Sequence, residues 1–207
     1  MKRIVFPGEY IGEAKRIYNT YIDHGKAYSK VLGIYEGQGN AIIPLEGAYV
    51  PHVDDEIVGI VTNERNGIYD IDIQHFDRCL LITDKRDELI EEGTVISATI
   101  RDIENKKTII AEMPRRLKDG ILIYVKPIKI PRVIGRSNTM IDMIRDYTKT
   151  IIVVGMNGLV WLKGGNTALA IEAILHVENE AHVEGLTNRI KLMLENGMAK
   201  SQTNKVI

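Results

Sequence analysis

Four consecutive residues, Gly135-Arg136-Ser137-Asn138, have the character of a loop that holds a phosphate group. The glycine permits a positive φ and lets a ligand's backbone approach the loop amides, and the arginine supplies a charged donor. Asn138 tolerates the left-handed region better than most residues, so we expect the turn geometry to be kept. A helix beginning near Thr139 would direct its N-terminal amides towards the same phosphate.

The segments around this loop predict the elements that position it. An apolar run precedes Gly135, and the helical spacing that follows it places four residues on one face: Met140, Ile141, Ile144 and Tyr147. Helix, glycine turn, helix, strand and strand is the order of a KH module, which clamps single-stranded RNA with a GxxG loop. Asn138 occupies the last glycine position of that motif, a departure that bears on RNA affinity.

A second string, Gly155-Met156-Asn157-Gly158, matches GxxG more closely. It lies between two apolar β-branched runs, so we interpret it as a hairpin turn rather than an RNA clamp. Asn-Gly between two such runs predicts a type I′ turn. Trp161 then falls in the second strand of the hairpin, where we expect core packing rather than base stacking.

The charges predict a local binding surface, because the net charge of −1 excludes a uniformly basic nucleic-acid binder. Between positions 115 and 136, basic residues greatly outnumber the one acid, Asp119. A solvated linker and edge strand would explain about half of these charges equally well. The basic residues are Arg115, Arg116, Lys118, Lys126, Lys129, Arg132 and Arg136.

The middle of the chain predicts a five-stranded OB barrel of the ribosomal S-one type. The strands are expected at 56–62, 68–73, 78–82, 94–101 and 107–112, with a helical turn at 86–92. OB folds bind single strands on the face of strands two and three. Five residues of this region are RNA-binding candidates, and each could instead be an ordinary exposed residue of the β face. They are Arg65, Tyr69, His75, Arg78 and Lys85.

Two groups of side chains have a spacing that could indicate a metal ion, and for both we prefer a structural interpretation. Asp70 and Asp72 share a strand face, as an ordinary half-buried strand also predicts. His176 and Glu180 have helical spacing with His182 nearby, but no further ligand completes a site. No nucleophile–base pair or Walker loop is visible, so we expect no catalytic residue, no metal and no cofactor.

The 207 residues, 44% of them hydrophobic and 27% charged, predict a multidomain α+β protein. We expect a small N-terminal β domain at 1–50, the OB barrel at 51–120 and a type I KH domain at 121–207. The last helix is expected at 182–196, ending at Gly197. Cys79 is the single cysteine, and neither a signal peptide nor an apolar run of membrane length is visible. We therefore expect a cytoplasmic protein without a membrane partner.

Several stretches together resemble the archaeal exosome cap subunits of the ribosomal-RNA-processing-protein-four type, over nearly the whole length. The chain departs from that family at Asp54 and Asn138, where the family usually has Gly, and at Ile68, where it usually has Trp. The matching stretches are Pro7-Gly8-Glu9, residues 28–34, residues 44–51, Pro131-Arg132-Val133-Ile134-Gly135 and residues 155–161.

The resemblance implies a non-catalytic role. Three such subunits, copies of one chain or of related cap subunits, sit on a hexameric ring of RNase PH-like proteins. They form the pore through which single-stranded RNA enters and favour poly(A)-rich substrates, and the ring degrades RNA from its 3′ end. The resemblance further implies that residues 1–50 dock on the ring.

Other proteins combine these modules. Some transcription-elongation factors join an S-one-type domain to two KH units, whereas this chain has one. Polynucleotide phosphorylase carries the two modules in the opposite order behind catalytic domains. A free-standing RNA-binding regulator, or a transcription or translation factor with OB and KH domains, remains the alternative, but it would not need the N-terminal β domain.

Overall fold

The computed structural model describes residues 2–13, 17–37, 41–83, 89–105, 107–180 and 185–203. The chain divides into two compact units, residues 1–48 and 49–207. Within the described residues, no helix combines the length and apolar character needed to span a membrane.

The first unit is built from two small antiparallel sheets, as its glycine-punctuated sequence predicts. The first sheet joins β1 (Lys2–Val5), β5 (Gly33–Glu36) and β6 (Ile42–Pro44), in that order. The second sheet consists of β2 (Tyr10–Glu13), β3 (Thr20–Asp23) and β4 (Lys26–Ser29), with β4 in the middle. Val5, Ile17 and Ile42 form the small core of this first unit.

The second unit begins with a closed five-stranded barrel. Its strands are β7 (Glu56–Arg65), β8 (Ile68–Asp72), β9 (Arg78–Ile82), β10 (Val95–Glu104) and β11 (Thr108–Arg116). They close in the order β7-β8-β9-β11-β10, with β9 and β11 parallel and the other pairs antiparallel. One parallel pair between the third and fifth strands is the connectivity of an OB fold, so that prediction is confirmed.

Alternation along the strands fills the barrel. Inward side chains include Ile71, Cys79, Leu81 and Ile100, all buried in one cluster. The helical turn predicted at 86–92 is not present in its described part, residues 89–92, and residues 84–88 lie outside the described residues. Asp54 has a φ of +70°, a conformation that explains why the resembled family usually carries glycine there.

The rest of the second unit has the element order of a type I KH domain. After β12 (Ile121–Tyr124) come α1 (Ile130–Ile134), α2 (Thr139–Thr148), β13 (Ile151–Val154), β14 (Leu159–Lys163) and α3 (Thr167–Glu180). The sheet order is β12-β14-β13 and all its pairs are antiparallel. The helices bury Ile130, Met140, Ile144 and Ile174 against this sheet.

The last helix, α4 (Leu186–Thr203), does not end at Gly197 as predicted. A Cβ added at Gly197 would lie 2.5 Å from Cδ1 of Leu169. The glycine therefore allows α4 to pack closely on α3, and the expectation of a stop signal was wrong. Residues 181–184, at the predicted start of this helix, lie outside the described residues.

The turn between β13 and β14 joins the KH sheet to the barrel. Asn157 is 1% exposed, and its Oδ1 accepts the Val58 amide at 3.1 Å. Its Nδ2 donates to the carbonyls of Val58, at 2.7 Å, and Ile73, at 2.9 Å. The interpretation of this string as a turn rather than an exposed clamp agrees with the structure, since its asparagine is buried against barrel backbone.

The geometry of this turn differs from the predicted type I′ form. That form needs a positive φ at both Asn157 and Gly158, and only Gly158 has one, at +94°. The Gly158 amide donates to the Gly155 carbonyl at 3.0 Å, so Met156 and Asn157 are the central residues. This is a three-residue hairpin loop whose last residue, Gly158, forms a glycine bulge.

Trp161 belongs to the same junction. It is buried with Val58 and Leu117 of the barrel side and Val153 and Leu159 of the KH sheet. The expectation of core packing agrees with this position. Apolar contact and the Asn157 hydrogen bonds therefore join the two modules together.

Replacing Asn157 with alanine should destabilise the whole chain by about 3 kcal/mol, because the Val58 amide and two buried carbonyls lose their partners. Urea unfolding followed by Trp161 fluorescence measures this loss. Asn196→Ala, at an exposed position on α4, is the matched control and should change stability by less than about 0.5 kcal/mol. Equal stability of the two variants would show that the junction does not depend on these hydrogen bonds.

Candidate nucleic-acid interface

The loop between α1 and α2 keeps the geometry expected of a phosphate clamp. Gly135 has a φ of +76°, and a Cβ there would lie 2.7 Å from the Met140 amide nitrogen, so only glycine fits. Ser137 and Asn138 follow with φ values of +49° and +64°. The prediction that Asn138 adopts the left-handed conformation is confirmed. Arg136, Ser137 and Asn138 are all exposed to solvent.

Helix α2 begins at Thr139, as predicted, with Asn138 as its N-cap residue. The Asn138 side chain makes no capping hydrogen bond. The Thr139 amide donates to the Arg136 carbonyl, and the amides that follow it lie at the positive end of the dipole of this ten-residue helix. Such a helix end attracts a phosphate when basic side chains stand beside it.

Two arginines border this loop. Arg132 lies in the last turn of α1 and Arg136 follows Gly135, and both are exposed. Within the described part of the chain, neither guanidinium has a carboxylate partner. Their charges are therefore available to a polyanion, and the prediction that they contact RNA stays a prediction.

The wider basic segment does not form one surface. Arg115 lies on β11 with its Nη2 3.6 Å from Oε1 of Glu56, and Nη2 of Arg116 donates to the Leu89 carbonyl at 2.8 Å. The nearby acid, Asp119, lies 3.2 Å from the Lys163 ammonium. Arg115 and Arg116 therefore belong to the barrel, whereas Arg132 and Arg136 border the KH loop.

Among the barrel candidates, Tyr69 was wrongly predicted as a surface residue. It is 2% exposed, and its ring packs inside the barrel beside Ile71 and Leu81. Alternation along β8 places it on the same face as Ile71, so its ring cannot stack with a base on the outer face. Lys85, another candidate, lies outside the described residues.

Arg78 lies on the outer face, but its charge is already compensated. Nε and Nη2 donate to the two carboxylate oxygens of Asp70 at 2.5 and 3.0 Å. The hydrogen bond from Arg78 holds the pKa of Asp70 below its usual value, although burial opposes this shift. Arg65 is exposed at the end of β7, and its charge also helps to lower the pKa of Asp70, but in the described ranges it makes no ion pair or hydrogen bond with a carboxylate. It is therefore the more available cation on this face.

His75 lies in the loop between β8 and β9, with most of its side chain covered. Its Nδ1 accepts the Asp77 amide at 3.1 Å, and its ring stacks on Phe76 at a centroid distance of 4.4 Å. Phe76 was not among the sequence candidates. It is one of two phenylalanines, and it stands in a polar run, Gln74-His75-Phe76-Asp77. A large ring without apolar sequence neighbours was the signal that could have identified it.

These barrel residues border one open groove of about 630 Å³. It brings together three of the predicted residues, Arg65, His75 and Arg78, whereas Tyr69 and the KH loop do not line it. The remaining lining residues include Thr62, Asn63, Asp70, Asp72, Phe76 and Asp77. Hydrogen-bonding groups and one aromatic ring on the β8–β9 side suit a single-stranded nucleic acid.

Cys79, at the bottom of this groove, is buried, and burial raises the pKa of its thiol to about 12.

Within the described ranges, no group of three or more His, Cys, Asp and Glu side chains could hold a metal ion. On α3 the Nδ1 of His176 lies 3.9 Å from Oε1 of Glu180, and His182 lies outside the described residues.

Removing the guanidinium in Arg78→Gln should change how stability depends on pH. The lowered pKa of Asp70 means that the pair stabilises the fold fully above the ordinary value of 3.8. This stabilisation is lost as the pH falls through the lowered folded-state pKa. Urea midpoints from neutral pH downwards should therefore show a deficit that shrinks below pH 3.8. Arg136→Gln is the control for removing one positive charge. A deficit that stays constant with pH would contradict the prediction.

Known proteins resemble this chain over its whole length. A family model described as KH domain matches residues 120–168. The exosome complex component Rrp4 of Pyrococcus abyssi is 35% identical, with 100% of this chain and 87% of the relative covered. The Rrp4 of Methanosarcina mazei is 31% identical over 100% of this chain and 86% of its own length.

A crystal structure described as that of a candidate exosome complex RNA-binding protein shares the fold. Its TM-score is 0.65 at 24% identity, with 75% of this chain and 99% of that chain covered. Identity above 30% over the full chain, together with a KH domain behind a barrel, shows that the chain belongs to the family of the exosome complex component Rrp4.

Proposed function

We propose that this chain is a non-catalytic RNA-binding subunit of an exosome complex. The observation that carries the proposal is the KH loop, where a left-handed turn, a helix N-terminus and two available arginines meet at one exposed point. These are the elements with which a protein binds the phosphates of a single strand. The names of the relatives supply the complex in which this binding would operate.

The contacts at the KH loop are made by backbone amides and guanidinium groups, so they hold phosphate without reading a base. Such a surface serves a subunit that accepts many RNA sequences. Preference for poly(A)-rich RNA, which the family resemblance implies, would have to come from contacts to bases elsewhere. In this proposal, degradation from the 3′ end belongs to an RNase PH-like hexameric ring, and three copies of this chain or of related cap subunits form the pore above it.

The first unit would attach the chain to the ring. Its exposed large apolar side chains are the candidates for that contact, because a contiguous apolar surface on a monomer usually marks a protein interface. They are Ile4, Phe6, Tyr10, Tyr18, Tyr21, Ile22 and Ile43. Tyr10, Tyr28 and Tyr21 also stand in one row across β2, β4 and β3, with ring centroids 5.9 and 5.4 Å apart.

A free-standing RNA-binding regulator would not need this apolar surface, which is why we favour the subunit. A cytoplasmic location is part of the same proposal, and the single, buried cysteine agrees with a reducing compartment.

The double variant Arg132→Ala with Arg136→Ala should bind single-stranded RNA more weakly and release fewer counterions. The slope of log affinity against log salt should fall by about 1.4, since each phosphate contact to a single strand contributes about 0.7. Fluorescence anisotropy with a labelled oligonucleotide at several salt concentrations measures this slope.

The matched control is the double variant Arg101→Ala with Arg115→Ala, which removes two arginines that already lie near Glu112 and Glu56. It should leave the slope close to that of the original chain. If the Arg132 and Arg136 variant keeps the full slope, the RNA path does not cross the KH loop.

The double variant Phe6→Glu with Tyr18→Glu, which places two carboxylates on this apolar surface, should abolish association with the ring. A buried carboxylate without a partner is strongly unfavourable in a protein interface. Size-exclusion chromatography with purified ring subunits measures the association, and RNA affinity of the isolated chain should stay unchanged.

Leu192→Glu on α4 is the control for adding charge at an exposed apolar position, and it should still co-elute with the ring. Co-elution of the Phe6 and Tyr18 variant would contradict docking through the first unit. Co-elution after deletion of residues 1–48 would do so as well.

A further inference from the structure

Phe76 is the most exposed large apolar side chain that the structure describes in the second unit. It is 90% exposed, although its neighbours in the loop between β8 and β9 are polar. A protein interface usually offers a contiguous apolar patch, whereas this ring stands alone among Gln74, Asp72 and Asp77. A single flat ring in polar surroundings favours a ligand that is itself flat and polar at its edges.

The ring is held in place from below. One face of Phe76 stacks on His75, with centroids 4.4 Å apart and an interplanar angle of 27°. His75 in turn meets the ring of Tyr49 edge-on at 6.1 Å, and Tyr49 is buried in the barrel core. The Tyr49 hydroxyl donates to Asp55 at 2.7 Å, which fixes the base of this ladder. This ladder supports one face of Phe76, while 90% of the side chain is open to solvent.

The groove beside Phe76 is better suited to a base than to a phosphate. Three carboxylates line it, Asp70, Asp72 and Asp77, and they would repel a phosphate. Asp70 is paired with Arg78, and Oδ1 of Asp72 accepts a hydrogen bond from the backbone amide of Gln74 at 2.8 Å. Arg65 is the groove's other guanidinium, and it remains available for the backbone of a strand whose base enters the groove.

We propose that Phe76 is a stacking platform for one unpaired base of single-stranded RNA, seated against the His75–Phe76 pair, with Arg65 contacting its phosphate. This inference rests on the proposed RNA binding and adds to it a barrel contact that recognises a base. Stacking is tolerant of sequence because every base has a π-face.

The test uses the full chain and a single-stranded RNA of about 12 nucleotides, within the length that one barrel covers. The RNA carries one 2-aminopurine, whose fluorescence falls when it stacks on an aromatic ring. Phe76→Ala should weaken binding about 5-fold to 150-fold, the range measured for loss of one base–aromatic stack. The salt slope should stay unchanged, because no counterion is released by a stacking contact.

Two further variants separate stacking from simple apolar contact. Phe76→Leu keeps an apolar side chain but has no aromatic face, so it should weaken binding as the alanine variant does and lose the 2-aminopurine quenching. Phe76→Trp should retain both. Met113→Ala, at another highly exposed apolar position of the barrel, is the control and should bind as the original chain does.

Full affinity and quenching in Phe76→Leu would overturn the inference. So would a Phe76→Ala variant that binds RNA normally but fails to join the ring, because the residue would then be a protein contact. Both results leave the KH loop and its arginines unaffected. Failure of the unsubstituted chain to bind RNA at all would instead refute the proposed function together with this inference.

Discussion

The hydrogen bonds of one buried amide determine how the RNA-binding parts of this molecule are arranged. Asn157 satisfies the amide and carbonyl of Val58 and the carbonyl of Ile73, backbone groups that would otherwise be buried without a partner. An amide side chain can do this because it offers both a donor group and an acceptor oxygen. Trp161 and Leu159 surround the junction with apolar contacts that exclude water. Since the KH sheet is attached to barrel backbone, the two modules form one compact unit.

Much of this architecture could be predicted from local patterns. Helical periodicity from Met140 onwards and the alternating barrel strands depend on short-range sequence order, and the structure follows them. The same rule of alternation should have excluded Tyr69, because a residue two positions before buried Ile71 faces the same way. That error came from treating an aromatic residue in a binding fold as exposed, although the strand pattern indicated otherwise.

Other features depend on contacts between distant parts of the chain and therefore have no local signal. Gly197 looks like a helix stop, but it is selected by the Leu169 side chain on a neighbouring helix. The Asn157-Gly158 pair predicts a turn correctly, yet the form of that turn is set by barrel carbonyls 99 and 84 positions away. Arg78 is of a residue type that commonly contacts RNA, and only the fold shows that Asp70 already pairs with it. Sequence identifies which groups could act, and packing decides which remain available.

The compact junction also bears on how weak contacts could add up. In our proposals the KH loop contacts phosphates through Arg132 and Arg136, and the barrel groove contacts RNA through Arg65 and the exposed ring of Phe76. When two sites are held at a fixed separation, binding at the second becomes intramolecular, and its effective concentration depends on how well the strand spans the gap. Each contact can then be individually weak while the strand as a whole is retained. Several weak contacts differ from one tight site in that each can be released without the strand dissociating.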